Sequence, residues 1–146
     1  MIEIRPFEPE DLERVYEIEL SSFSIPWTKE DLQRDAVSNN LSVYLVALCD
    51  NQLVAYAGMW HVVTEGHITN IAVSPDYRNK GIGQQLIEGL LRIAKEREMM
   101  GITLEVRMNN AAAQRLYIKN GFKVEGIRKN YYADTKEDAL IMWKYL

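Results

Sequence analysis

The chain has 146 residues, enough for one domain (1–146) that buries about 70% of its unfolded surface without disulfide or metal staples. Apolar residues make up 47% and charged residues 26%, a balance that excludes disorder, collagen-like repeats and low-complexity scaffolds. Lys and Arg number 17 against 21 Asp and Glu, a net charge of −4, which argues against a general nucleic-acid binder and leaves room for a basic peptide partner.

One cysteine, Cys49, and two histidines, His61 and His67, supply neither a disulfide framework nor a metal-binding cluster. The opening MIEIRPFEPED lacks the charged segment and apolar run of a signal peptide. No stretch approaches the ~20 apolar residues of a membrane span. A soluble, cytoplasmic protein without a membrane or direct nucleic-acid partner is the expectation.

Ile2–Arg5 alternates apolar and polar residues, which predicts a short strand. Pro9 fits a first helical turn, with Glu10 and Asp11 at the positive end. Leu12, Val15, Tyr16, Ile18 and Phe23 give that helix its apolar stripe, and the SIPW run breaks it. Thr28 with Asp31 three residues on starts a second helix carrying Leu32 and Ala36. Leu41–Leu48 and Leu53–Trp60 flank Asp50-Asn51 and read as a hairpin. Ile68–Val73 is another strand, and Ile82, Leu86, Leu90, Ile93 and Ala94 mark a helix from Gly81 to about Arg97. Ile102–Met108 alternates strictly. Asn110–Lys119 is a short helix stopped by Asn120-Gly121, and Phe122–Arg128 and Ala139–Tyr145 close the chain as strands. The order β-α-α-β-β-β-α-β-α-β-β is α/β or α+β, with a mixed sheet. Early neighbours pair antiparallel, and the strand-helix-strand unit from Ile68 to Met108 makes a parallel crossover.

The chemistry concentrates after Val73. A polar loop with Pro75, Asp76, Arg78 and Lys80 leads into Gly81 and Gly83 at a helix start. Glycines there admit a ligand close to the backbone. The free N–H groups of the first turn, the helix dipole and the two cations make a pyrophosphate site. The P-loop pattern is absent. The dinucleotide fingerprint fails at its third glycine, occupied by Leu86, although Glu105 lies about twenty residues on like a ribose-binding acid.

Arg78-Asn-Lys-Gly-Ile-Gly83, between a strand and a helix, resembles the Q/R-x-x-G-x-G/A acetyl-CoA motif of the GNAT N-acetyltransferases. Leu104–Tyr117 and Asn120–Arg128 resemble the second half of that fold. Phe23–Thr28 and Arg128–Tyr132 narrow the resemblance to its RimI-like, ribosomal-protein-alanine N-acetyltransferase subgroup. The resemblance implies a mixed, mostly antiparallel sheet flanked by about four helices, with a splayed parallel strand pair at the acetyl-CoA site. It implies acetyl transfer to the N-terminal alanine of a small-subunit ribosomal protein, entering as a basic peptide. Glu105 matches the general base and Tyr117 the general acid. The backbone of Ile71, Ala72 and Val73 would take the pantetheine arm, and Arg78, Asn79, Lys80, Gly81, Ile82, Gly83 and Gln84 the pyrophosphate. Asn110 matches a CoA contact, and Trp27, Tyr131 and Tyr132 match acceptor-gripping loops.

The residues themselves leave alternatives open. Glu105 also reads as a strand carboxylate paired with a surface cation, Tyr117 as a core aromatic, Asn110 as a helix cap and Trp27 as a staple between helices. Partial burial of Glu105 is expected to raise its pKa. His61 and His67 read as solvated or core side chains, with tuning of the site as the alternative, and Cys49 as a small buried hydrophobe. Other protein N-termini, lysine or a small amine are competing acceptors. A non-catalytic acyl-CoA-binding or partner subunit is a competing class, against which the presence of both Glu105 and Tyr117 speaks.

Overall fold

A computed structural model describes residues 1–146. Seven strands form one sheet in the order β1-β2-β3-β4-β5-β7-β6: β1 (Ile2–Pro6), β2 (Ser42–Cys49), β3 (Gln52–Val62), β4 (Glu65–Val73), β5 (Gly101–Arg107), β6 (Lys123–Arg128) and β7 (Ala139–Tyr145). All neighbours are antiparallel except β4 and β5. The helices are α1 (Leu12–Ser22), α2 (Lys29–Gln33), α3 (Ile82–Glu96) and α4 (Ala111–Lys119). The element order is the one the residue patterns predict. No helix is long and apolar enough to cross a membrane.

Strand alternation sorts the core onto two faces. Val43, Leu45 and Ala47 of β2 join the larger cluster under α3, with Leu86, Ile87 and Leu90. Tyr44 and Val46 point the other way, into a smaller cluster with Val15, Ile18 and Leu32 from α1 and α2. Each fully buried Leu or Ile contributes about 1.5–3 kcal/mol, so the stripe of α3 dominates the packing of its face.

The functional geometry comes from a defect in the sheet. β4 and β5 pair only over Glu65–His67 and Gly101–Thr103. Beyond that point β4 stays on β3 and β5 stays on β7, and the two diverge. The β3–β4 register jumps from Gly58↔Asn70 to Met59↔Ile68. Thr69 is therefore an extra residue, a bulge where the splay begins. Bulges bend and twist their strand, and this one turns β4 away from β5. Gly58 opposite it has no room for a side chain: a Cβ would stand 2.7 Å from the Tyr44 ring.

Candidate active site

The gap between β4 and β5 opens into a cavity of about 770 Å³. Glu105 enters it from β5. Its neighbours Leu104 and Val106 are buried in the core, so alternation sends Glu105 and Arg107 to the face of α1. Tyr117 reaches the same cavity from α4, on the opposite side of the sheet. Only the splay lets groups from the two faces meet.

The Glu105 side chain is 13% exposed. His67 Nε2 stands 3.3 Å from Oε2, and Arg128 Nε 3.5 Å from Oε1. The contact with His67, together with the positive charge of Arg128, holds the carboxyl below its ordinary pKa although burial pushes it up. The expected upward shift is thus reversed, because a donor and a cation beside the charged form outweigh partial desolvation. Of the readings of His67, its contact with the candidate base supports the one in which it tunes the site. His61 instead lies near the surface, with Nδ1 3.3 Å from Arg97 Nη1.

Tyr117 is buried, edge-on to Phe122 at 5.7 Å between ring centres. Burial pushes its pKa far up, so the phenol stays protonated. It is a core aromatic and a cavity residue at once. Asn110 takes the cap position expected of it and also lines the cavity. Its Oδ1 caps α4 by accepting from the Ala113 N–H at 3.1 Å.

Trp27, Tyr131 and Tyr132 also line this cavity. Tyr131 and Tyr132 stand edge to face, and the Arg107 guanidinium lies 3.9 Å over the Tyr132 ring. Burial pushes the Tyr132 phenol up to about 12. Arg107 also forks to Asp134 at 2.9 and 3.1 Å. Asp134 accepts from the Ser24 hydroxyl. The loop after α1 and the loop after β6 are thereby tied together across the cavity.

The glycine loop lies at the other end of the open strand. The Ser74 N–H donates to Val54 C=O at 2.8 Å. By ladder alternation the Ala72 backbone also faces β3, while Ile71 and Val73 present N–H and C=O to the splayed side. Ala72 is therefore spent on the sheet, with its side chain buried, and only Ile71 and Val73 remain to bind an extended ligand. Arg78 Nε already donates to Val73 C=O at 3.0 Å. Lys80 lies over the Tyr77 ring. Asn79 (φ 62°) and Gly81 (φ 78°) both take left-handed backbone. The first intrahelical bond is Gln85 N–H to Gly81 C=O, which leaves the N–H groups of Ile82, Gly83 and Gln84 without an intrahelical acceptor. The Ile82 side chain is buried in the core. The Gln84 side chain is tied to Asn120 by two bonds of 2.8 Å, so these two residues have only backbone to offer.

Glu19 escaped the sequence reading. It is 1% exposed on α1 and lines the cavity. Tyr56 donates its hydroxyl to Glu19, and the Trp27 N–H donates at 2.9 Å. The signal was present: Glu19 lies four residues after Val15, inside the apolar stripe of α1.

The model of the acetyltransferase (GNAT) family matches residues 12–122. A Bacillus subtilis (strain 168) protein, provisionally named a [ribosomal protein bS18]-alanine N-acetyltransferase, is 45% identical over 96% of this chain and 93% of its own. The crystal structure of the ribosomal-protein-S18-alanine N-acetyltransferase from Escherichia coli superposes with a TM-score of 0.92 at 34% identity, over 99% of this chain and 94% of that one. The PaiA N-acetyltransferase from Thermoplasma acidophilum in complex with coenzyme A reaches 0.84 at 26% identity, over 100% and 99%. With the splayed pair, the glycine loop and nearly full-length kinship in agreement, this chain belongs to the GNAT family of acetyltransferases.

Proposed function

We propose that this enzyme transfers the acetyl group of acetyl-CoA to the α-amine of an N-terminal alanine on a small-subunit ribosomal protein. The observation that carries the chemistry is the opening of Glu105 and Tyr117 onto one cavity between β4 and β5. The acceptor follows the names of the relatives, and a ribosomal acceptor calls for a cytoplasmic enzyme.

An α-ammonium, with a pKa near 7.7–8.0, has no lone pair to attack with. The Glu105 carboxylate attracts it and takes its proton. Held low by His67 and Arg128, Glu105 keeps that proton only briefly and releases it toward solvent. The freed nitrogen attacks the thioester carbonyl carbon. The tetrahedral intermediate collapses as the C–S bond breaks, and the Tyr117 hydroxyl donates to the departing thiolate. The proton lost by the new amide nitrogen restores the balance, giving amide and free CoA thiol. The pantetheine amides pair with the N–H and C=O groups that Ile71 and Val73 turn away from β3, as an added strand would, sharing the Val73 C=O with Arg78. The pyrophosphate sits on the N–H groups of Ile82, Gly83 and Gln84, near Arg78 and Lys80. Asn110 contacts CoA, and Trp27, Tyr131 and Tyr132 frame the acceptor.

Mass spectrometry of the purified protein with acetyl-CoA and two basic peptides tests the reading. One peptide starts with a free alanine; the other has a blocked N-terminus and free lysines. Acetylation of the first alone supports the proposal. Reaction of the second moves the acceptor to lysine, and reaction of neither while acetyl-CoA binds points to a small amine or a non-catalytic role.

A further inference from the structure

A second cavity, of about 510 Å³, lies between α2, the π-helical turn Arg34–Ser38 and the end of β3. Trp27 belongs to the wall of both cavities. Its position is fixed, because its N–H is held by Glu19 and the next residue, Thr28, caps α2. Trp60 forms another wall and stands edge-on to His67, the side chain that contacts Glu105.

The wall also contains Asp35, 7% exposed. Its Oδ2 accepts from the Tyr44 hydroxyl at 2.5 Å. Its Oδ1 accepts from Trp60 Nε1 at 2.8 Å, Asn39 Nδ2 at 3.0 Å and Ser42 Oγ at 3.2 Å. All four donors are neutral, and Asp35 enters none of the ion pairs of the chain. Buried carboxylates are as a rule paired with a cation. The one cation of the cavity, Arg34, is engaged with Asp31 at 2.7 Å on the solvent side, 72% exposed. Two indoles beside a carboxylate that lacks its cation are the chemistry that holds a guanidinium or ammonium.

We propose that this cavity is a subsite for a cationic side chain of the acceptor, carried shortly after its N-terminal residue. The proposal rests on the reading that the acceptor amine sits at Glu105. A chain leaving the main cavity past Trp27 brings its next side chains to the second one. The subsite then selects acceptors by charge and leaves acetyl-CoA untouched.

The test uses peptides that begin with alanine and carry either arginine or its neutral isostere citrulline at position two or three. Acetylation gives kcat/KM, and tryptophan fluorescence gives the Kd of the acetylated product peptides with CoA present. The arginine peptide is expected to show about tenfold higher kcat/KM and about tenfold lower Kd than the citrulline peptide at one of the two positions. In Asp35→Asn the ratio falls to near one. If that variant does not fold, Trp60→Leu, which leaves the other three donors of Asp35 in place, lowers the ratio instead. Ratios near one in the unaltered protein overturn the subsite, as does a tenfold ratio that survives the substitution. Tighter binding of the arginine peptide without acetylation of either peptide keeps the subsite and overturns the assigned reaction.

Discussion

Replacing Glu105 with Gln removes the charge and keeps the shape. In the folded protein the carboxylate faces His67 on one oxygen and Arg128 on the other. Glutamine retains one acceptor and turns an NH₂ toward the second donor, so the proton acceptor is lost and the ammonium loses its counter-charge. A positioned general base contributes about 10²- to 10⁴-fold, and kcat is expected to fall by that factor, ~3–5 kcal/mol of barrier. Acetyl-CoA affinity stays within about twofold, because the groups assigned to it lie on β4, in the glycine loop, at the start of α3 and at Asn110, and Glu105 is none of them. The assay is peptide acetylation at saturating acetyl-CoA, with calorimetry for cofactor binding. pH separates the causes. Because Glu105 is held below its ordinary range, it is ionised throughout neutral pH and adds no limb there. The rise of kcat/KM with pH belongs to the acceptor amine, near 7.7–8.0, and persists in the variant at lower amplitude. A loss under tenfold or an equal loss of acetyl-CoA affinity would refute the base assignment, and a limb at about pH 6 that disappears in Glu105→Gln would refute the depressed pKa.

Tyr117→Phe keeps the packing against Phe122 and removes only the hydroxyl; kcat is expected to drop about 10²-fold with Tm nearly unchanged, read by acetylation kinetics and calorimetry. At Gly81 a Cβ would touch nothing within 4 Å, so only the φ of 78° opposes Gly81→Ala. That costs about 1 kcal/mol, seen as a roughly fivefold weaker acetyl-CoA affinity with the acceptor KM unchanged. Glu19→Ala leaves the Tyr56 hydroxyl and the Trp27 N–H without their acceptor, which predicts about 3 kcal/mol of destabilisation in urea titrations. Burial pushes Asp11 up, but Arg5, at 2.8 and 2.9 Å, and the Glu8 N–H bring its pKa below the ordinary value. Its stabilisation is therefore complete above the unfolded carboxylate range and is lost as pH falls through the depressed folded value. Asp11→Asn removes that part of the acid-unfolding curve.

Local pattern was enough for the elements and for the chemical vocabulary. Alternation in Leu104–Val106 put Glu105 on its own face, the 3.6-residue period of α3 predicted its buried stripe, and Gly81 marked the helix start at the expected residue. Those properties depend on neighbours within a turn or a few strand residues. Distance along the chain hid the rest. His67 and Glu105 are 38 residues apart and meet only because β4 and β5 are paired up to His67 and part beyond it. The bulge at Thr69 that parts them leaves no mark in composition. Glu19 showed as an acid in an apolar stripe, but its partners on β3 and in the loop after α1 are set by packing. Asp35 carries no signal in the local pattern, and only the fold surrounds it with neutral donors. The sequence determined which groups exist and which face each one takes. The tertiary structure decided which groups meet and how buried they are, and that burial and those partners set the charge on Glu105 and leave Asp35 without a cation.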